Sequence, residues 1–488
     1  MKPHSHHSQS WKEDFAKKLN KFLERTEEHI LKEANPGGHY TEIWPRDASY
    51  ILKDQFLSGN DIHAILQQIL IIWSHQITGH GKEKIVYGRG SPEMNFKSVV
   101  ANNEIKRRFE GALPTTIYHK EGFSEVYAQN PDIDSTALMI STTSWILSTF
   151  LKARLLSEPT TISVTDLSPS STAGTLLSSS IDNKYKYEEE TTISTISISK
   201  VINFIVPRML KAIDYLKSRD IDDDGLLEQD HNEDWMDTIL RKGKVVYSQA
   251  CWILALKNLS SLLLELGNNN NKKVKAERIA KLTDRAINAV EKELWSKEDG
   301  CYIDIQQEEE HIGGPYRTLT QDVCLYLIAI IEGNENGNNS NNLFSNDILH
   351  NRQSKIHKRA ISTLATIKRR IWKDKWPLVT EVELKKTGPW KLRPNQYHNH
   401  TFWPWSTGIE MLSRSKFDQY KECNTLFSKL ASEDHPHIHT FYEWINPITD
   451  KAEGAYPFRT GISAVRIAIF DILNNMRRRR RRRRSLTL

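Results

Sequence analysis

Two carboxyls can share acid–base chemistry when one is protonated and donates to a leaving group while the other is ionised and activates water or attacks as a nucleophile. Two places in the chain offer such groups beside apolar or aromatic surface, which raises an acid's pKa and keeps it protonated. They are Glu233-Asp234-Trp235-Met236-Asp237 and Glu443, which stands between Tyr442 and Trp444. A competing reading makes the first an acidic helix N-terminus, where carboxylates complement the macrodipole, and the second an exposed loop residue. The aromatic surroundings favour chemistry. Of thirteen tryptophans, Trp44, Trp235, Trp390, Trp403, Trp405 and Trp444 lie among charged and turn residues instead of on apolar helical stripes. Flat rings among carboxylates, arginines and histidines suit a pocket that stacks on sugar faces while polar neighbours bind hydroxyls. Arg46-Asp47, directly after Trp44-Pro45, pairs a donor with an acceptor at a helix start, as a clamp for vicinal hydroxyls or as a helix cap. Tyr397, His398 and Asn399 place further donors and acceptors ahead of Trp403 and Trp405.

Other chemistries are not signalled. Walker, GxGxxG, GxSxG and HExxH patterns are absent. Asp220, Asp222, Asp224 and Gly225 open like a calcium loop, but His231 stands where the bidentate glutamate belongs. Cys251, Cys301, Cys324 and Cys423 show neither CxxC spacing nor a pairing pattern, so a reducing, cytoplasmic setting is expected, with no cofactor and no metal. The N-terminus lacks an apolar signal region, and no apolar run approaches bilayer length.

The elements that must position these residues read as helical. Apolar i, i+3, i+4, i+7 spacing predicts about a dozen helices, near 11–33, 46–58, 62–77, 132–154, 200–218, 246–266, 274–296, 319–333, 354–371, 401–414, 416–431 and 457–474. Convincing strands are few. The 488 residues thus predict one mainly α catalytic domain over 11–475, interrupted by a mobile Ser/Thr-rich insertion at 155–199 and by Asn-rich loops at 267–273 and 332–342. The formal charge of +6 is set by Arg477 to Arg484; residues 1–476 hold 59 basic against 61 acidic side chains, a net of −2. The basic character therefore belongs to a tail, 476–488, expected to be disordered and suited at most to a polyanion, while the body has no nucleic-acid-binding composition.

In order, WPRDA (44–48), DSTAL (134–138), EDWMDT (233–238), YSQACW (247–252), YHNHTFWPW (397–405), FYEWINP (441–447) and GAYPFRTGISAVRIAI (454–469) resemble the six-hairpin glycoside hydrolases. The glucoamylase-type enzymes and the amylo-α-1,6-glucosidase domain of glycogen-debranching enzymes are most similar to this pattern. The resemblance implies an all-α (α/α)6 toroid, with an active site in the loops at one end. It further implies inversion, with Asp237 as general acid and Glu443 as general base, roughly 6.5 to 9.5 Å apart. Trp44, Arg46, Asp47, Asp134, Glu233, Asp234, Trp235, Tyr397, His398, Asn399, Trp403, Trp405 and Trp444 become expected substrate-binding residues. The implied substrate is an α-glucan or short α-glucoside cleaved to release glucose, with a trehalase- or invertase-like specificity as the alternative. Met236 stands where glucoamylases proper carry a glutamate, which leaves Asp234 or Glu233 open as the acid, and His400 replaces a common glycine and is expected to crowd a subsite. Outside this class, the composition also permits a silent carbohydrate sensor, or a polyanion binder acting through the arginine run.

Overall fold

The computed structural model describes residues 5–30, 33–154, 162–164, 194–196, 198–267, 270–306, 319–331, 346–373, 376–383, 388–431 and 439–485. Among them are thirteen α-helices. In chain order these are α1 (Ser5–Ile30), α2 (Pro45–Leu57), α3 (Ile62–Ser74), α4 (Asn103–Arg108), α5 (Ile133–Arg154), α6 (Ile198–Lys217) and α7 (Val246–Glu265), followed by α8 (Asn270–Ala289), α9 (Cys324–Ile331), α10 (Asn346–Arg370), α11 (Pro404–Lys416), α12 (Tyr420–Leu430) and α13 (Arg459–Ser485).

Residue pattern sorts these helices into two layers. In α7 the buried positions run almost continuously from Val246 to Leu263, so it is apolar around its whole circumference and must be enclosed. By contrast, α12 buries only Tyr420, Cys423, Leu426, Phe427 and Leu430, one stripe at helical spacing, so its other face meets solvent. Contacts follow this division. Helices α2, α5, α7, α9, α11 and α13 each pack on the next, and α13 returns to α2. Around that circuit, α1 lies on α13, α3 on α2, α6 on α5, α8 on α7 and α12 on α11. The result is a two-layered α/α toroid.

Two buried details close the ring. A Cβ on Gly408 would come within 2.7 Å of the Ala464 backbone, so only glycine lets α11 lie this close to α13. Arg466 on α13 donates to both carboxylate oxygens of Asp54 on α2 at 3.1 and 3.0 Å, with both side chains out of solvent. Burial raises the Asp54 pKa to about 6 even though Arg466 pulls it down.

Several expectations are revised. A four-stranded sheet of β1 (Lys84–Tyr87), β2 (Val99–Val100), β3 (Thr116–Tyr118) and β4 (Phe123–Val126) stands between α3 and α5 in the order β2-β1-β4-β3. Its β1–β4 pair is parallel and the others antiparallel. Strands of two to four residues are too short to show alternation, which is why periodicity missed them. A bridge between Ile43 and Ile117 ties this sheet to the segment entering α2. The arginine run, expected as a disordered tail, continues α13 to Ser485, and Arg479 pairs with Asp418. The Asn-rich stretch at 267–273 already enters α8 at Asn270. Within 155–199, Ile162–Val164 pairs antiparallel with Ser194–Ile196 and α6 begins at Ile198; the remainder, like the 332–342 loop, lies outside the described residues.

Candidate active site

One pocket, enclosing about 440 Å³, opens where the N-termini of α2, α11 and α13 converge. Pro36, Tyr40 and Trp44 come from the segment entering α2, and Arg46 and Asp47 from its first turn. Trp235 and Asp237 project from the segment before α7, Tyr397, His398 and Trp403 from the segment before α11, and Glu443 and Phe458 from the segment before α13. Trp405 and Thr460 complete the lining from the first turns of α11 and α13. Two helices begin alike: Trp44 and Trp403 occupy N-cap positions, followed by Pro45 and Pro404. Proline suits a first helical position because its φ is already helical and its missing N–H was unpaired in any case. The same Trp-Pro start therefore turns an indole to the pocket and launches an inner helix. Asp47 lies in a first turn, where the positive end of the helix dipole favours a carboxylate.

The two carboxyls expected to do chemistry share this pocket in different settings. Glu443 is 3% exposed. Its Oε1 accepts from the hydroxyls of Tyr40 at 3.0 Å and Tyr397 at 2.9 Å, and its Oε2 accepts from the Ala455 N–H at 2.8 Å. Burial raises its pKa, while these three donors favour the ionised form and pull it back. Gly454, with φ +82°, lies directly beneath: a Cβ there would press on Glu443 Oε2. Asp237 has 17% side-chain exposure. Burial lifts its pKa to about 7, Arg46 opposes the rise, and the charge of Glu443 adds to it. Donors thus favour the anion of one carboxyl, while burial raises the pKa of the other to about 7.

Around them stand rings and unpaired polar atoms. The Trp235 ring lies 4.5 Å from Trp405, 5.4 Å from Trp403 and 5.1 Å from His398, centroid to centroid. His398 Nδ1 is 2.8 Å from Thr238 Oγ1 and 3.9 Å from Asp237 Oδ1. Burial, with Arg46 and Arg241 nearby, keeps the imidazole neutral. Arg46 reaches Asp47 at 3.4 Å and Asp134 at 3.6 Å, too far for good hydrogen bonds. Arg46 Nη1, Asp47 Oδ2, Trp44 Nε1 and Trp405 Nε1 are buried without a hydrogen-bond partner. Buried polar groups left unpaired in this way are costly, and a polyhydroxylated ligand supplies the matching acceptors and donors. Tyr397 adopts φ +50°, strained for a bulky residue, and this turn aims its hydroxyl at Glu443.

Five expected binding residues do not line the pocket. Glu233 is fully buried, bound by Arg219 at 2.8 Å, Asn130 at 2.8 Å and the Asp230 N–H at 2.8 Å. Asp234 accepts from Gln229 at 2.9 Å and from the Met236 N–H at 2.9 Å, and lies 3.2 Å from Arg241. Both alternatives for the acid are therefore committed to holding the loop, because a carboxylate so far from water must be paired. Arg241 also contacts Asp304 and Asp322, and Asp322 accepts from the Trp235 indole at 2.8 Å, so this ionic cluster sets the angle of the Trp235 ring. Asp134 sits behind Arg46 and accepts from Tyr247 at 3.2 Å. Asn399 is fully buried, and Trp444 pairs in a short ladder with Glu453. His400, expected to crowd a subsite, is buried with Nδ1 at 2.9 Å from the Thr380 carbonyl. Sequence reasoning missed Pro36, Tyr40, Phe458 and Thr460. No spacing marks Tyr40, whose Glu443 partner lies 403 residues away.

The calcium-like loop has a resident cation. Lys244 Nζ lies 2.7 Å from Asp222 and 2.6 Å from Asp224, with Glu228 at 3.3 Å. Its ammonium neutralises the clustered acids.

No protein-family model and no curated protein matches the sequence. Solved structures do match in fold. A GH63 mannosylglycerate hydrolase from Thermus thermophilus in complex with glucose superposes with a TM-score of 0.52 at 14% identity, over 93% of this chain and 98% of that one. The same hydrolase with Tris and D-glycerate gives 0.53, at the same identity and coverage. An uncharacterized conserved protein from Thermus thermophilus gives 0.52 at 14% identity, over 91% and 97%. At this identity the likeness is one of architecture, and it spans nearly the whole of each chain: this protein is built on the α/α toroid of those structures.

Proposed function

We propose that the chain is an inverting, exo-acting glycoside hydrolase that releases glucose from α-glucans or short α-glucosides, built as an (α/α)6 toroid of six helical hairpins. One observation carries the reading: Asp237 and Glu443, 206 positions apart, line a single aromatic pocket, Asp237 with its pKa raised to about 7 by burial and Glu443 with three hydrogen-bond donors that favour its anion. Asp237 donates its proton to the glycosidic oxygen. Glu443 takes a proton from the water that attacks the anomeric carbon, and the C–O bond to the leaving group breaks. Arg46 and Asp47 clamp the hydroxyls of the terminal sugar, and Trp44, Trp403 and Trp405 enclose its faces. The six-hairpin count is supported by the closed circuit of six inner helices, five of which carry an outer neighbour among the described residues. A pocket fed by a near-neutral body, with net charge −2 outside the arginine run, suits a neutral sugar.

The similar GH63 structure is named for mannosylglycerate hydrolysis, so the test panel extends beyond glucosides. Maltose, isomaltose, trehalose, sucrose, glycogen and mannosylglycerate are incubated with the purified full chain, and the first-formed product is read by proton NMR. Release of β-glucose from an α-glucoside is expected. Retained configuration would assign Glu443 as a nucleophile, release of mannose alone would replace the substrate, and sugar binding without turnover would make the protein a sensor.

A further inference from the structure

Three aromatic side chains outside the pocket lining form a second surface, joined to the loop that carries Asp237. Trp390 is approached by Phe96 edge-on at 5.8 Å and by Tyr127 at 6.4 Å with planes 28° apart. The three residues come from separate places: a loop after β1, the end of β4 and the segment before Tyr397. They are held together by deliberate backbone placement. Asn95 and Phe96 adopt φ +49° and +57°, consecutive left-handed residues without glycine, a costly arrangement for phenylalanine. Gly90 donates to the Tyr127 carbonyl at 2.7 Å, and a Cβ on Gly90 would collide with the Tyr127 ring. Asn232, on the loop that carries Asp237, donates its side-chain N–H to the Gly90 carbonyl, so loop and platform are joined directly. Burial raises the Tyr127 pKa, and the charge of Asp237 adds to the rise.

The charge at this surface is already offset. Arg89 lies 5.0 Å from the Tyr127 ring, but its guanidinium binds both oxygens of Glu125 at 2.9 and 3.0 Å. A bidentate pair of this kind leaves little net field for an anionic group. What remains is a partly exposed indole backed by two rings, a surface suited to the apolar face of a neutral pyranose.

We propose that Phe96, Tyr127 and Trp390 form the leaving-group subsite, and that this subsite selects a neutral second sugar ring over a small or anionic leaving group. The inference rests on the glycosidase reading, because Asp237 can face a leaving group only if it protonates one. It adds a specificity determinant that the sequence pattern around the carboxylates did not contain.

The test separates the two claims. Glucosyl fluoride has a leaving group too small to touch the platform, whereas a disaccharide fills it. In Trp390→Ala, and independently in Phe96→Ala, the ratio of kcat/KM for the preferred disaccharide to that for glucosyl fluoride should fall about tenfold, the scale of one lost aromatic contact. An unchanged ratio in both variants overturns the proposal, as does a glycoside with an anionic aglycone outcompeting the disaccharide on the native protein. A second measurement needs no turnover. In Asp237→Asn protein, calorimetric binding of the disaccharide should exceed that of the monosaccharide, and Trp390→Ala in that background should remove the difference. If the native chain cleaves nothing yet this difference is seen and lost, the hydrolase reading fails, and the leaving-group role with it, leaving the three rings a sugar-binding surface only. If cleavage proceeds and the difference is absent, the subsite fails alone.

Discussion

The Tyr397 hydroxyl lies 2.9 Å from Oε1 of Glu443, and the Tyr40 hydroxyl shares the same oxygen at 3.0 Å. Both hydrogen bonds stabilise the carboxylate and counter the rise in pKa that burial imposes. A base must be ionised, so Glu443 sets the acidic limb of the pH–rate profile. Tyr397→Phe should move that limb to higher pH and lower kcat by about tenfold, on the scale of a hydrogen bond to a charged group. Steady-state rates from pH 4 to 9 check this, and an unmoved acidic limb would count against Glu443 as the base.

Asp237→Asn and Glu443→Gln should each reduce kcat by roughly 10² to 10⁴-fold, the usual contribution of an acid or base, with circular dichroism unchanged. Asp237 acts protonated, so native activity should decline as pH rises through about 7.

Stability carries the same signature. Folding raises the Asp237 pKa from 3.8 to about 7. Between those values the folded chain keeps a proton that the unfolded chain releases, so native stability falls as pH rises from about 4 to 7 and then levels off. Asp237→Asn removes this dependence. Its Tm advantage over the native protein should be larger at pH 8 than at pH 5, and an equal difference at both would contradict the burial-driven shift.

Gly454→Ala should cost activity far more than stability. The left-handed φ of +82° strains any side chain by about 1 kcal/mol, but the added methyl group also displaces the Glu443 carboxylate. A variant with normal kcat and a lowered Tm would separate the glycine from the site.

Arg241→Met removes the one cation shared by Asp234, Asp304 and Asp322, leaving buried carboxylates unpaired. A loss of about 3 to 5 kcal/mol in denaturant unfolding is expected. The Trp235 ring should lose its fixed angle with it, seen as changed near-ultraviolet dichroism.

The helical character and the aromatic and acidic concentrations were legible because they depend on residue type and local order. Helical periodicity marks an amphipathic face, and Trp-Pro followed by Arg-Asp marks a helix start, whatever the rest of the chain does. Inner and outer helices could also be told apart in principle, since an enclosed helix such as Val246–Glu265 is apolar all round. What local order did not distinguish was which of Glu233, Asp234 and Asp237 faces the pocket. Three carboxylates within five residues look alike until Arg219 and Arg241, brought in by other segments, claim the first two. Tyr40 was hidden for the same reason: its meaning comes from Glu443, and only closure of the ring by Arg466 and Asp54 brings the two ends of the chain together. The leaving-group platform is the extreme case, with three rings from three distant loops and no shared motif. Sequence determined which chemistry the chain can carry, because proton transfer and stacking belong to side-chain types. Tertiary structure decided which copies of those side chains are used, because burial, pairing and pKa depend on neighbours that are far apart in the chain.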